Sequence, residues 1–183
     1  MISRDEAVSL LKTYAKENHD LLRKSYAVEH IMRKLCHEHD EDEELWEMTG
    51  LLYDLDIEYT QRNPENHTMI TADLLNGLLP QEAIDAIKSH NYAHTGVIPT
   101  SMLDKALLTS DASATLILAI SSTIPLQKIT KKDLLSAYKD LSYDIYYHKD
   151  WLLLSPDLNM NIQDFLFFSL SSLKEITGDY KQV

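Results

Sequence analysis

The excess of leucine over valine and glycine constrains the fold of this chain most strongly. The 183 residues include 29 leucines but only four valines and four glycines. Leucine loses little rotamer freedom in a helix, whereas valine suits strands and tight hairpin turns need glycine. No internal repeat, low-complexity tract or Pro/Gly/Ser-rich linker interrupts the sequence. We therefore expect residues 1–183 to form one all-α domain, a helical bundle.

Helix start and stop signals divide the chain into amphipathic segments. Ser3 and Glu6 have the spacing of a capping box, and Ser101 precedes a long apolar helix. Asn63 and Pro64 predict the start of a helix that continues to Gly77. The remaining predicted helices cover about 20–38 and 42–54, begin near Pro80, Thr130 and Asn161, and all carry apolar residues at helical spacing.

Charge and cysteine usage narrow the class of partner. The net charge of -12 argues against nucleic acid, because a phosphate backbone requires a basic protein face. No apolar run approaches the roughly 20 residues that span a bilayer, and the first residues lack the pattern of a signal peptide. The single cysteine, Cys36, excludes an intramolecular disulfide and fits a reducing compartment. We expect a cytoplasmic protein with no nucleic-acid or membrane partner, and self-association stays open.

Polar side chains on predicted apolar faces form the candidate site. His67 and His90 lie three and seven positions from apolar residues, Asp111 has similar spacing, and Asp54 ends an apolar run. A buried carboxylate needs hydrogen bonds, a cation or a metal. Imidazole with carboxylate is also the mixed ligand set of hydrolytic metal centres. Each residue taken alone could instead be a core histidine or a helix-end aspartate, so both interpretations stay open.

The other six histidines are expected to lie elsewhere. His30 follows Val28 by two positions, which predicts that it points off the apolar face of its helix. We expect His19 between two helices and His94 beyond a helix end. We expect His37 and His39 at a solvated helix end, and His148 on an aromatic packing surface.

Five segments between residues 23 and 119 resemble the HD superfamily of metal-dependent phosphohydrolases, in the order found in that family. They are KSYAVE (24–29), GLLYDLD (50–56), PENH (64–67), AIKSH (86–90) and KALLTSDA (105–112). The resemblance implies a helical HD-type domain. The family pattern is an early histidine, a His-Asp pair, later histidines and a final aspartate, which bind up to two metal ions.

The resemblance assigns family positions to particular residues of this chain. Asp54 takes the place of the aspartate of the pair, His67 and His90 those of the later histidines, and Asp111 that of the final aspartate. The two histidines of the first metal site are replaced by Lys24 and Tyr53, which lie 29 positions apart, the spacing of the family. Asn91 stands where some relatives carry another histidine.

The replacements at positions 24 and 53 change the chemistry that the site can perform. A protonated lysine cannot ligate a metal, and a neutral phenol is a poor ligand. We therefore predict that the ammonium of Lys24 occupies the place of the first metal, paired with Asp54 and Asp111 and joined by the hydroxyl of Tyr53. In the alternative, Lys24 extends to solvent.

Three functions remain open, and the sequence does not decide whether the chain is an enzyme. The first is a phosphohydrolase for a small phosphorylated molecule, a phosphate ester or nucleotide, that uses at most one divalent ion (Mn, Ni, Fe, Mg or Zn). The second is a non-catalytic relative whose pocket binds a small anion or a partner, with Lys24 in place of the first metal. The expected cofactor is thus one divalent ion or none. The third is an interaction module that uses the aromatic stretch 138–151. The predicted site residues are the catalytic Asp54 and Lys24, the substrate-binding Lys24, Tyr53 and Asn91, and the metal ligands Asp54, His67, His90 and Asp111.

Overall fold

The computed structural model describes residues 1–140 and 148–176, and the regular elements of these residues are helices without any strand. This confirms the predicted all-α bundle. The described residues form ten α-helices: α1 (Arg4–Ala15), α2 (His19–His39), α3 (Glu43–Leu52), α4 (Ile57–Thr60), α5 (Met69–Leu75), α6 (Gln81–Ser89), α7 (Tyr92–Thr95), α8 (Met102–Ser121), α9 (Lys131–Asp140) and α10 (Ile162–Lys174). Three 3-10 segments cover Pro64–Asn66, Leu126–Lys128 and Lys149–Leu158. Within the described ranges, no helix combines the length and apolarity needed to cross a membrane.

Side-chain caps set the helix boundaries, and most of the predicted ones are present. Ser3 and Glu6 form the predicted capping box, and Ser101 caps α8. The start of α2 differs from the prediction. Asn18 is the N-cap, because its side chain accepts the Leu21 N–H at 2.9 Å. His19 is therefore the first residue of the helix and not part of a connection.

Helices α2 and α8 form the centre of the bundle. Helix α2 packs against α3 and α8, and α8 also packs against the 3-10 segment Lys149–Leu158. Helix α10 packs against α2, which corrects the prediction for His30. This side chain is only 4% exposed, and its Nδ1 accepts a hydrogen bond from Arg33 at 3.0 Å. A pattern within α2 cannot show that α10, which is distant in sequence, covers the face of α2 that carries His30.

The predicted helix from Pro64 to Gly77 is interrupted. A 3-10 turn over Pro64–Asn66 ends at His67, which has an extended backbone, and α5 begins only at Met69. Thr68, between them, adopts a left-handed conformation with φ of 70°. His67 therefore lies in a connection between two helical segments and not on a helix face.

Candidate functional site

The predicted site residues meet around one cavity of about 780 Å³. They come from separate parts of the fold: α2, the end of α3, the connection before α5, the end of α6, and the middle of α8. The predicted residues that line the cavity are Lys24, Asp54, His67, His90, Asn91 and Asp111. Tyr53 is fully buried next to this group. Five segments that are distant in sequence thus converge at the cavity.

Lys24 forms ion pairs with both predicted carboxylates. Its Nζ lies 3.3 Å from Asp54 Oδ2 and 2.8 Å from Asp111 Oδ1. Burial alone would lower the pKa of Lys24, but the charges of Asp111 and Asp54 outweigh burial and raise that pKa. The ammonium therefore stays charged and faces the carboxylates, as predicted, and not the solvent.

Asp111 is engaged through both of its oxygens. The hydroxyl of Tyr53 donates to Oδ1 at 2.8 Å, and His90 Nε2 lies 3.0 Å from Oδ2. Burial would raise the pKa of Asp111, but the charge of Lys24 and the hydrogen bond with His90 hold it well below its usual range. Asp111 is thus an ionised carboxylate that already has a lysine, a phenol and an imidazole as partners.

Three of the predicted metal ligands form a compact donor group. Asp54, His67 and His90 each offer one ligand atom, and these atoms lie within 4.8 Å of one another. Among the described residues, this is the group whose ligand atoms lie close enough together to hold a metal ion. Asp111 lies beside it, in contact with His90. Among the described residues, Asp54 Oδ1 is a buried oxygen without a hydrogen-bond partner, and His67 Nε2 lies 3.3 Å from it. The donor set and this unpartnered oxygen fit a bound cation.

Asp56 contacts the site but was not among the predicted residues. Its Oδ1 lies 2.7 Å from His67 Nδ1, and its Oδ2 accepts the Thr71 N–H at 2.9 Å. Burial would lower the pKa of His67, but the hydrogen bond with Asp56 and the charge of Asp54 raise it. The signal in the sequence was a second aspartate, two positions after Asp54 and flanked by Leu55 and Ile57.

Asn91 lines the cavity, and its amide also makes contacts within the protein. Its Nδ2 donates to the carbonyl oxygens of Pro64 and His67, both at 2.9 Å, and its Oδ1 lies 2.8 Å from His94 Nδ1. The amide is therefore fully engaged within the protein. It ties the connection that carries His67 to the end of α6.

Aromatic side chains line the outer part of the cavity. The ring of His148 stacks on Trp151 with centroids 3.9 Å apart, and Trp151 meets the edge of His90 at 4.8 Å. Both His148 and His94 line the cavity, so the prediction of a pure packing surface for His148 is incomplete. His94 does lie beyond the end of α6, as predicted, in the short helix α7. Residues 141–147 of the predicted aromatic interface lie outside the described residues.

Comparison of the chain with protein-family models, with curated proteins and with solved structures finds no match in any of the three. The resemblance to the HD superfamily therefore stays a prediction from the residues. What the site can do has to be argued from its own geometry and charge.

Proposed function

We propose that the protein is a phosphohydrolase of the HD type that acts on a phosphate ester with a single divalent cation. Asp54, His67 and His90 would hold the cation. The observation that carries this proposal is that Asp54, His67 and His90 bring one ligand atom each to within 4.8 Å of one another. The buried Asp54 Oδ1 makes no hydrogen bond among the described residues. Asp54 Oδ1 and the lone pair on His67 Nε2, 3.3 Å apart, face each other favourably only with a proton or a cation between them. Mixed imidazole and carboxylate donors suit Mn, Fe, Ni or Zn better than Mg.

The charge of the cavity supports a role for the cation in binding phosphate. Among the described residues that line it, Lys24 is the one lysine, and arginine is absent. Lys24 already pairs with Asp54 and Asp111. Without further positive charge, a phosphate dianion would meet a site in which carboxylates outnumber the ammonium. This balance of charge makes the binding of an anion to the metal-free pocket unfavourable. When bound, a divalent ion supplies Lewis-acid polarisation of a phosphoryl oxygen.

The chain's own residues prepare the site in distinct ways. Lys24 engages Asp54 through Oδ2, which leaves Oδ1 available. His90 directs Nε2 at Asp111, and its Nδ1 is buried and unpartnered among the described residues. Lys24 also lines the cavity, so its positive charge would lie near a bound phosphoryl group.

A second candidate is a non-catalytic relative that binds the cation but hydrolyses nothing. It is favoured by the contacts of Lys24 and Tyr53, which occupy Asp111 Oδ1 at 2.8 Å each. By the HD resemblance, the ammonium and the phenol would stand in place of the family's first metal ion. The two candidates share the cation and differ in the chemical step.

Metal binding and hydrolysis can be measured separately. Purified protein is stripped with EDTA, and Mn²⁺ binding is measured by titration calorimetry for the wild type, His67→Ala and His90→Ala. His37→Ala is the matched control, because His37 pairs with Glu43 at a helix end away from the cavity. We expect one ion per chain in the wild type and the control, and none in the two site variants. Hydrolysis of p-nitrophenyl phosphate should follow the same pattern.

The outcomes separate the candidates. Binding of one ion without hydrolysis of any tested phosphate ester would favour the non-catalytic relative. Absence of Mn²⁺, Ni²⁺ and Zn²⁺ binding in the wild type would contradict both candidates. Binding of phenyl phosphate should require the cation. Equal binding of phenyl phosphate in EDTA would show that the charge argument is wrong.

A further inference from the structure

We propose that Asp56 is the positioning residue that determines which ring nitrogen of His67 faces the cation site. The inference rests on the proposed metal site and concerns how the chain prepares that site before any ion binds. It assigns a role to a buried carboxylate that lies outside the predicted ligand set.

The carboxylate of Asp56 is fixed by a reciprocal contact with the start of α5. Asp56 is fully buried in the connection between α3 and α4. Its Oδ2 accepts the backbone N–H of Thr71 at 2.9 Å, and its own backbone N–H donates to Thr71 Oγ1 at 3.1 Å. The first bond anchors Oδ2 and the second holds the Asp56 backbone beside Thr71, so Oδ1 is directed towards His67 Nδ1 at 2.7 Å.

This geometry determines the tautomer of His67. An ionised carboxylate only accepts hydrogen bonds, so His67 Nδ1 must carry a proton to contact Asp56. The neutral ring then has its lone pair on Nε2, the nitrogen that lies 3.3 Å from Asp54 Oδ1. Carboxylates that orient ligating histidines in this way raise metal affinity roughly 10–100-fold. Asp56 thus presents a ligating nitrogen to the same place as the unpartnered oxygen.

The orientation of the ring and the position of the backbone have separate supports. Asn91 Nδ2 holds the carbonyl oxygen of His67 at 2.9 Å and does not contact the ring. Asp56 holds the ring. Substitutions at the two positions should therefore have different effects. A change at Asn91 alters where the connection lies, and a change at Asp56 alters the protonated nitrogen.

Asparagine and alanine at position 56 should give opposite orders for affinity and stability. In Asp56→Asn, the Thr71 N–H still needs an acceptor, so the amide oxygen stays there and the NH₂ group faces His67 Nδ1. The ring proton then moves to Nε2 and blocks the ligating nitrogen. Asp56→Ala leaves both tautomers accessible, but it leaves the Thr71 N–H without its acceptor. We expect the asparagine variant to bind metal more weakly and to be the more stable of the two.

The test combines the nitrogen resonances of the histidine rings with metal titration. Nitrogen-15 NMR of the metal-free protein at alkaline pH should show His67 protonated on Nδ1 in the wild type and in Asn91→Ala, and on Nε2 in Asp56→Asn. Zn²⁺ affinity should fall roughly 10–100-fold in Asp56→Asn and less in Asp56→Ala. If Asp56 had a purely structural role, Asp56→Ala would be worse than Asp56→Asn both in Zn²⁺ affinity and in stability.

The inference on Asp56 and the proposed function can fail independently. An Nε2-protonated His67 in the metal-free wild type would overturn the inference, and so would unchanged Zn²⁺ affinity in Asp56→Asn. The tautomer is observed without any ion. A wild type that shows the expected tautomer but binds no metal would therefore count against the proposed function, while the assigned orientation of the ring would stand.

Discussion

Replacement of Lys24 with methionine tests whether its ammonium stabilises the two carboxylates at the centre of the site. Methionine keeps most of the apolar length of lysine and removes the charge. Lys24 Nζ lies 3.3 Å from Asp54 and 2.8 Å from Asp111, whose side chains are 3% and 5% exposed. The variant therefore leaves two buried carboxylates without their shared cation.

The expected loss of stability follows from this burial. Removal of one partner from a buried ion pair costs about 3–5 kcal/mol. The side chain of Lys24 is 27% exposed, so solvent screening reduces the expected loss to about 2–3 kcal/mol. For a chain of this length, that loss corresponds to a decrease in Tm of roughly 4–12 °C. A divalent ion should restore part of it, because a cation again lies beside the two carboxylates.

The assay is thermal unfolding followed by circular dichroism, in EDTA and with added Mn²⁺. Lys34→Met is the matched control, since Lys34 pairs with Glu175 at 2.8 Å but the two side chains are 40% and 57% exposed. The control should lose less than about 1 kcal/mol. The reasoning is refuted if Lys24→Met in EDTA is as stable as the wild type or loses no more than the control.

Three further predictions concern contacts on which the site or the fold depends. Tyr53→Phe removes only the hydroxyl that donates at 2.8 Å, and urea unfolding should show a loss of about 1–2 kcal/mol; an unchanged midpoint would contradict it. Gly50→Ala places a Cβ 2.9 Å from Met32 Sδ, and the same assay should show a loss of about 1–3 kcal/mol; a gain in stability would mean that the helices separate easily. Burial and the charge of Arg33 lower the pKa of His30 to about 4. The unfolded chain therefore binds this proton first, and the free energy of unfolding should fall as the pH drops from about 6.5 to 4. His30→Gln should flatten the pH dependence in that range, and an identical slope would exclude His30 as its source.

Helical spacing predicted that His90 and Asp111 face the interior, but it was wrong about the local structure at His67. His90 and Asp111 are buried at or within helices, as their spacing from apolar residues predicted. His67 reaches the site from an extended position, and Ile70, three positions later in the chain, is exposed. Long-range contacts from Asp56 and Asn91 hold this connection. A periodicity argument within one segment has no access to such contacts.

The residues missing from the prediction have contacts that only the folded chain creates. In the sequence, Asp56 looks like any polar residue in an apolar run. Its contacts with His67 and Thr71, which show its role, exist only in the folded chain. Trp151 contacts His90, which lies 61 positions earlier in the chain. By contrast, the pairing of Lys24 was predictable, because an inward lysine needs a carboxylate and the resemblance named two nearby.

Lys24 and Tyr53 contact the same atom. Together they therefore say more than either alone about which carboxylate oxygens of the site are already engaged. Both contact Asp111 Oδ1, one as an ammonium at 2.8 Å and the other as a hydroxyl donor at 2.8 Å. With His90 on its other oxygen, Asp111 has no unengaged oxygen to offer a cation. Asp54 keeps one, Oδ1, beside His67. Under the proposed function, Asp54 Oδ1 is therefore the carboxylate oxygen of this group that lacks a hydrogen bond among the described residues and would accept a single cation.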